Sequence, residues 1–284
     1  MKLGFIGAGN MGSAIIGGAV ASGIVKGADI TVSDRDTDKL DSLKEKYGVN
    51  VADNNACAVC DIVFFCVKPN VLADVISGIK DKADKETVFV SIAAGQSIEK
   101  IENAFESKSV KIVRVMPNTP ALLGEGMMLY TTTENINNDE TNEFISAMAE
   151  CGKWDLINEN LIDAASALSG CSPAFVYMFI EALADGAVKC GLSREKALQY
   201  ASQTLKGAAL MVEQTGKHPE LLKDEVTSIT YETWIKPLEI QNIEGNHIVF
   251  KAISEYHKDF IQSRYSPLIL NTLKFITNKD WSFS

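Results

Sequence analysis

The chemistry of this chain starts at Gly7-Ala8-Gly9-Asn10-Met11-Gly12, three glycines at the spacing G-x-G-x-x-G. The motif follows a short apolar run, residues 2–6, and opens a helical run, residues 10–21. In that setting the first glycine permits a tight turn. The second lets backbone approach a pyrophosphate, and the third lets the helix pack on the strand. The helix N-terminus adds free N–H groups and a positive dipole, which favour phosphate. The spacing therefore points to a dinucleotide site and to hydride transfer, with Gly7, Ala8, Gly9, Asn10 and Met11 around the phosphates.

Asp34 stands 22 residues beyond Gly12, at the end of the second strand. An acid there accepts a ribose 2′-hydroxyl and repels a 2′-phosphate. Arg35 would clamp that phosphate, and Ser33 would hydrogen-bond to it. NADP and NAD both remain open on these residues. Three further loops follow strands: Val67-Lys68-Pro69, Ala93-Ala94-Gly95 and Met116-Pro117-Asn118. All fall at carboxyl ends of strands, where doubly wound sheets bind ligands. The small residues 93–95 would let backbone approach a nicotinamide.

The elements that must position these residues alternate along the first half. Strand runs at 29–33, 61–67, 87–92 and 110–115 are separated by helical runs at 37–46, 71–79 and 98–105. Residues 61–67, Asp-Ile-Val-Phe-Phe-Cys-Val, read as a strand covered on both faces. Residues 127–131 and 152–156 add edge strands around a helix at 139–150. This alternation predicts an α/β fold, a doubly wound Rossmann-type parallel sheet. An α-helical domain follows, with runs at 161–168, 173–190, 194–214 and 219–225, and with Ser172 and Ser193 as N-caps.

Composition shifts again near Ser228. Nineteen of the 20 glycines lie before it, and 9 of the 22 aromatic residues lie in the 56 residues after it. The tail reads as a helix at 231–235, a hairpin turning at Glu244-Gly245-Asn246, and one long helix from Ser254, a small α+β module. The expected domains are 1–158, 159–228 and 229–284.

A net charge of −10 opposes a nucleic-acid surface. The most apolar stretch, 164–188, is interrupted by Pro173, Glu181 and Asp185, so no membrane span is expected. A strand run from Lys2 occupies the place of a cleavable leader, and the chain reads as cytoplasmic. Cys57 and Cys60 have redox or zinc spacing, but no second pair accompanies them; they read as small, half-buried helix residues. His247 and His257 read as surface residues, and no metal site is expected.

The stretches FIGAGNMGSAI (5–15), FFCVKP (64–69), SIAAG (91–95), RVMPNTPALLGEGM (114–127), SALSGCSPAFVYMFIEALADGAVKCGL (166–192) and KGAALMVEQTGKHPELLKDEV (206–226) together resemble the pyrroline-5-carboxylate reductase family. The resemblance runs from residue 1 to about 228. It implies reduction of 1-pyrroline-5-carboxylate to L-proline with NADPH, or with NADH, in a homo-oligomer acting on a small-molecule substrate. It further implies cofactor contacts at Ile6–Met11, Ser33, Cys66–Pro69 and Ala93–Gly95. Substrate would lie near Ser169, Gly170, Ser172 and Pro173, with Glu159 facing the same region. A protonated cyclic imine already accepts hydride well, so orientation matters more than a strong base. No residue is assigned as catalytic acid, base or nucleophile.

The family continues with a Ser-Pro-Gly-Gly-Thr loop, whose amides hold the substrate carboxylate, and then a dimer-forming helical hairpin. Here the chain reads Thr227-Ser228-Ile229-Thr230-Tyr231-Glu232-Thr233-Trp234. Isoleucine, threonine and tyrosine do not adopt glycine's positive φ cheaply. The replacement, SITYETWIKPLEI (228–240) with SEYHKDFIQSRYSPLI (254–269), resembles the N-terminal domain of the bacterial chromosomal replication initiator, a partner-binding module. The alternative reading is therefore a catalytically impaired chimera that binds NAD(P) and meets protein partners through its tail.

Overall fold

A computed structural model describes the chain from Met1 to Ser284; the side chains of Thr227, Ser228, Ile229, Thr230, Leu268, Thr272, Phe275 and Ile276 lie outside the described residues. Two compact units divide at Phe179/Ile180.

The first unit is built on one eight-stranded sheet. Its strands are β1 (Leu3–Ile6), β2 (Ile30–Ser33), β3 (Asn50–Val51), β4 (Ile62–Phe65), β5 (Val88–Ser91), β6 (Lys111–Met116), β7 (Gly126–Thr132) and β8 (Gly152–Leu156). They lie in the order 3-2-1-4-5-6-7-8, with β1 to β6 parallel and β7 antiparallel to β6. The first six follow the strand order of dinucleotide-binding sheets, with its reversal between β1 and β4. The register there is level: Leu3 faces both Ile30 and Ile62.

Helices α1 (Asn10–Ala21), α2 (Thr37–Tyr47), α3 (Asn54–Ala58), α4 (Leu72–Ile79), α5 (Ile98–Phe105) and α6 (Asn138–Ala147) cover the faces. Alternate strand residues serve opposite cores. Phe5 and Phe64 stack at 4.4 Å in a cluster that holds Ile15, Ile16 and Phe144. Ile6, Val63 and Phe65 face a second cluster with Ile76, Ile101 and Phe105. Burial on both faces explains why the central strands read as unbroken apolar runs. The sequence reading missed β3 and α3, which are too short to show a period. Asp53 caps α3 by accepting the Ala56 N–H.

Helix α7 (Glu159–Ser166) continues through a wider π-type turn, residues Ala167–Cys171, into α8 (Ser172–Lys189). The N-cap expected at Ser172 is therefore corrected: Ser172 has helical backbone, φ −62° and ψ −27°. The stretch Glu159–Lys189 is one helix of 31 residues, and by length and composition alone it is long and apolar enough to cross a membrane.

The second unit holds α9 (Arg194–Thr215), capped as expected by Ser193, and α10 (Pro219–Thr230). Strands β9 (Glu239–Glu244) and β10 (His247–Lys251) form the expected hairpin, with Gly245 at φ +62°, and β11 (Ser282–Phe283) pairs with β10. The single long helix expected from Ser254 is instead two, α11 (Glu255–Arg264) and α12 (Ser266–Thr277). Pro267 lacks the N–H that would continue α11 and sits where a helix begins. His257 is also corrected. It is buried, its Nε2 lies 2.9 Å from the Trp234 carbonyl oxygen, and its ring stacks on Trp234.

Candidate functional site

The glycine turn is set by sterics. Gly7 has φ +108°, and a Cβ there would lie 2.5 Å from the Cys66 carbonyl oxygen. At Gly12 a Cβ would meet the Gly7 oxygen at 2.6 Å. Gly9 differs: its φ is −70°, and a Cβ would meet nothing within 4 Å. Packing does not explain Gly9, whereas close approach of a ligand does. Helix α1 also starts without a side-chain cap, while α2, α3, α5 and α6 are capped by Asp36, Asp53, Ser97 and Asn137. Its first N–H groups are thus left for an outside acceptor. Both observations fit a dinucleotide pyrophosphate.

A cleft of about 450 Å³ opens beside this turn, across the β1/β4 reversal. Eight of the expected cofactor residues line it: Ile6, Gly7, Gly9, Ser33, Arg35, Cys66, Val67 and Lys68. Ala8 is buried beneath it, and Asn10 and Met11 form the first turn of α1. Pro69 begins the short turn after Lys68. Asp34 lines the cleft too, as do Asn54, Asn70, Val71 and Val75, which the sequence reading missed. Asn54 accepts a 2.7 Å hydrogen bond from the Ser33 hydroxyl. A larger hollow of about 820 Å³ is lined by α1, α2 and the segment 121–124 and does not include Gly9.

The other two expected loops sit elsewhere along the strand ends. Ala93 is buried, whereas Ala94 and Gly95 are exposed, with Gly95 at φ +70°. Met116 is buried against Leu129 and Ile162. Pro117 leads into Asn118, which is buried and bonded at both ends of its amide. Asn118 Oδ1 accepts the Met127 N–H at 2.8 Å, and Asn118 Nδ2 donates to the Ser169 carbonyl at 2.9 Å. That second bond has a cause in the sequence. Pro173 has no N–H to give the carbonyl four residues back, which is Ser169. The side chain of Asn118 supplies the missing donor.

The expected substrate residues Ser169 and Gly170 lie in the π-type turn, and Ser172 begins α8 just after it. Such turns recur at functional sites. The Ser169 hydroxyl is buried with no partner among the described residues. Glu159, expected to face the same region, makes contacts of its own. Its Oε1 accepts the Ile98 N–H at 2.7 Å and pairs with Arg114 Nη1 at 3.0 Å. Arg114 is 3% exposed and also reaches Asp163 at 3.0 Å. Glu159 therefore ties the start of α5, strand β6 and helix α7 together. The segment where the glycine loop was expected begins at Thr227–Thr230, whose side chains lie outside the described residues.

Cys66 lines the cleft, and Cys57 and Cys151 are buried elsewhere in the first unit. Burial pushes the Cys57 and Cys151 thiols up to about 12 and the Cys66 thiol up as well, so all three stay protonated at neutral pH.

Comparison with known proteins adds the following. The family profile for pyrroline-5-carboxylate reductase dimerisation matches residues 159–233. A profile described as NADP oxidoreductase coenzyme F420-dependent matches residues 2–95. A profile of the DnaA N-terminal domain matches residues 218–274. The chain is 41% identical over 229 residues to pyrroline-5-carboxylate reductase of Escherichia coli, covering 80% of this chain and 85% of that one. It is 40% identical to the enzyme of Arabidopsis thaliana, over 80% of this chain and 82% of that one. The crystal structure of Plasmodium falciparum pyrroline carboxylate reductase with NADP bound aligns with a TM-score of 0.71 at 30% identity, over 96% of this chain and 94% of that one. The pyrroline-5-carboxylate reductase of Coxiella burnetii aligns at 0.73 and 30%, over 98% and 96%.

Proposed function

The chain belongs to the pyrroline-5-carboxylate reductase family, and from that premise we propose that it reduces 1-pyrroline-5-carboxylate to L-proline with NADPH, and with NADH as second donor. Bound, the nicotinamide supplies a hydride, which adds to the imine carbon; the ring nitrogen carries the proton that makes it an amine. The observation that carries this reading is the glycine turn, with an open face at Gly9 and an uncapped α1, in a chain 41% identical to a named reductase.

Each group then has a task. The N–H groups of Asn10 and Met11 take the pyrophosphate. Ser33, Arg35 and Asn54 face the adenosine end, and Lys68 adds positive charge to the cleft. Cys66, Val67, Ala93 to Gly95 and Met116 to Asn118 mark the strand ends where the nicotinamide lies. Ser169, Gly170 and Ser172 line the substrate region. Glu159 holds α7 to the sheet and faces the substrate region. The active form is a homo-oligomer in the cytoplasm, paired through the exposed apolar side of α8, and takes neither nucleic acid nor membrane as partner. The chain is assembled from modules 1–158, 159–228 and 229–284.

A second reading is favoured by two observations. The aligned segment of the E. coli and Arabidopsis relatives is 229 residues long, and the tail carries an aromatic cluster of its own, with Trp234 on Phe260 at 3.9 Å. In this reading the loss of Pro-Gly-Gly-Thr disables substrate binding, while NAD(P) binding persists and the tail, similar to a DnaA N-terminal domain, binds partner proteins. One assay separates the two. Purified protein is mixed with NADPH and 1-pyrroline-5-carboxylate, and loss of the reduced cofactor's absorbance is followed. Turnover supports the reductase. Binding without turnover supports the impaired form, and activity should then return when the glycine loop and helical hairpin are restored.

A further inference from the structure

We propose that Asp34 is a positioning residue for the glycine turn, not a reader of the ribose; this rests on the cofactor reading above. In sequence, Asp34 occupies the place of an acid that accepts a 2′-hydroxyl and repels a 2′-phosphate. In the structure both of its oxygens are committed to backbone. Oδ2 accepts the Ala8 N–H at 2.5 Å, and Oδ1 accepts the Asp36 N–H at 2.9 Å. A third bond, from the Gly7 N–H to the Ser33 carbonyl at 2.7 Å, runs between the same two segments. The carboxylate thus pins the turn after β1 to the end of β2.

The charges around it decide what the cleft accepts. Arg35 is flanked by two acids, and both are occupied. Asp34 holds the two amides, and Asp36 pairs with Lys39 at 2.9 Å while capping α2. Arg35 is exposed at the cleft wall with no ion-pair partner among the described residues. Asn54 spends its Oδ1 on the Ser33 hydroxyl, which leaves its NH₂ as a donor on the same wall. A planar guanidinium beside an amide donor matches a phosphate monoester. NADPH differs from NADH by one such group, on the adenosine ribose.

The test is equilibrium binding of NADPH and NADH to the full-length chain, read by titration calorimetry. Arg35→Gln should weaken NADPH about tenfold or more and leave NADH nearly unchanged, as expected for one lost charge-assisted contact. Asp34→Asn keeps only one acceptor oxygen for two amides. It should weaken both cofactors by a similar factor, so the ratio of the two dissociation constants holds. Asp34→Ser, which still accepts the Asp36 N–H but cannot reach Ala8, should do the same, and both variants should melt below the native chain without cofactor because the Ala8 N–H loses its acceptor. If Asp34→Asn tightens NADPH while weakening NADH, Asp34 reads the ribose and the proposal fails. Unchanged binding of both also overturns it. If the native chain binds neither cofactor, the functional reading falls and this inference with it.

Discussion

The sheet and the helix α8 treat apolar residues in opposite ways. In the sheet, Phe5 and Phe64 are fully covered. On α8, Phe175 is 67% exposed and Met178 65%, and Tyr177 and Phe179 are exposed beside them. The first region satisfies its apolar surface within one chain; the second offers a contiguous apolar side, the kind of surface a partner covers. The cofactor half covers its apolar side chains within its own sheet and helices, whereas α8 leaves Phe175, Met178 and Phe179 open. That contrast gives the following expectations, from the largest effect to the smallest.

Gly7→Ala should break the cofactor half. Its positive φ alone costs about 1–3 kcal/mol in an alanine, and the Cβ would overlap the Cys66 carbonyl. We expect a lower melting temperature together with lost NADPH binding, measured by calorimetry. On α8, Phe175→Glu with Met178→Glu should weaken self-association about a hundredfold, as loss of buried interface anchors does. Sedimentation should show dimer becoming monomer while NADPH binding persists; a native chain that is already monomeric would break the comparison.

Asn118→Ala tests the seam within the first unit. It removes the donor to Ser169 and the acceptor from Met127, and two buried backbone groups lose their partners. A loss of about 1–3 kcal/mol is expected in denaturant unfolding. Raising the pH to about 9 should have the smallest effect. Cys57 and Cys151 are raised from 9.0 to about 12 by burial, so the fold binds their protons more tightly than the unfolded chain does. Their contribution is complete below pH 9 and is lost as pH rises toward 12. Cys171 and Cys190, both exposed, should be alkylated first.

The sheet was readable from the chain because its strands are buried on both faces and its helices are long enough to show a period. The glycine spacing was informative only through its place between β1 and α1, and the cleft formed where that place required. What escaped was short or tertiary. Asn54 lies on a five-residue helix after a two-residue strand, with no periodicity to reveal it. Ser172 before Pro173 looks like a helix start, but the helix continues because Asn118, 55 residues earlier, repairs the carbonyl that Pro173 leaves open. Glu159 and Arg114 are 45 residues apart, and their pairing follows from the fold. His257 was misread for a similar reason: Trp234, which covers it, is 23 residues away.

Gly9 offers the most direct test of the central claim that a dinucleotide lies on this turn. Its backbone suits any residue, and its Cβ would meet only open space. Gly9→Val should therefore melt like the native chain yet bind NADPH at least about a hundredfold more weakly, because the side chain would fill the path of the pyrophosphate. Native-like NADPH binding by Gly9→Val would contradict the account.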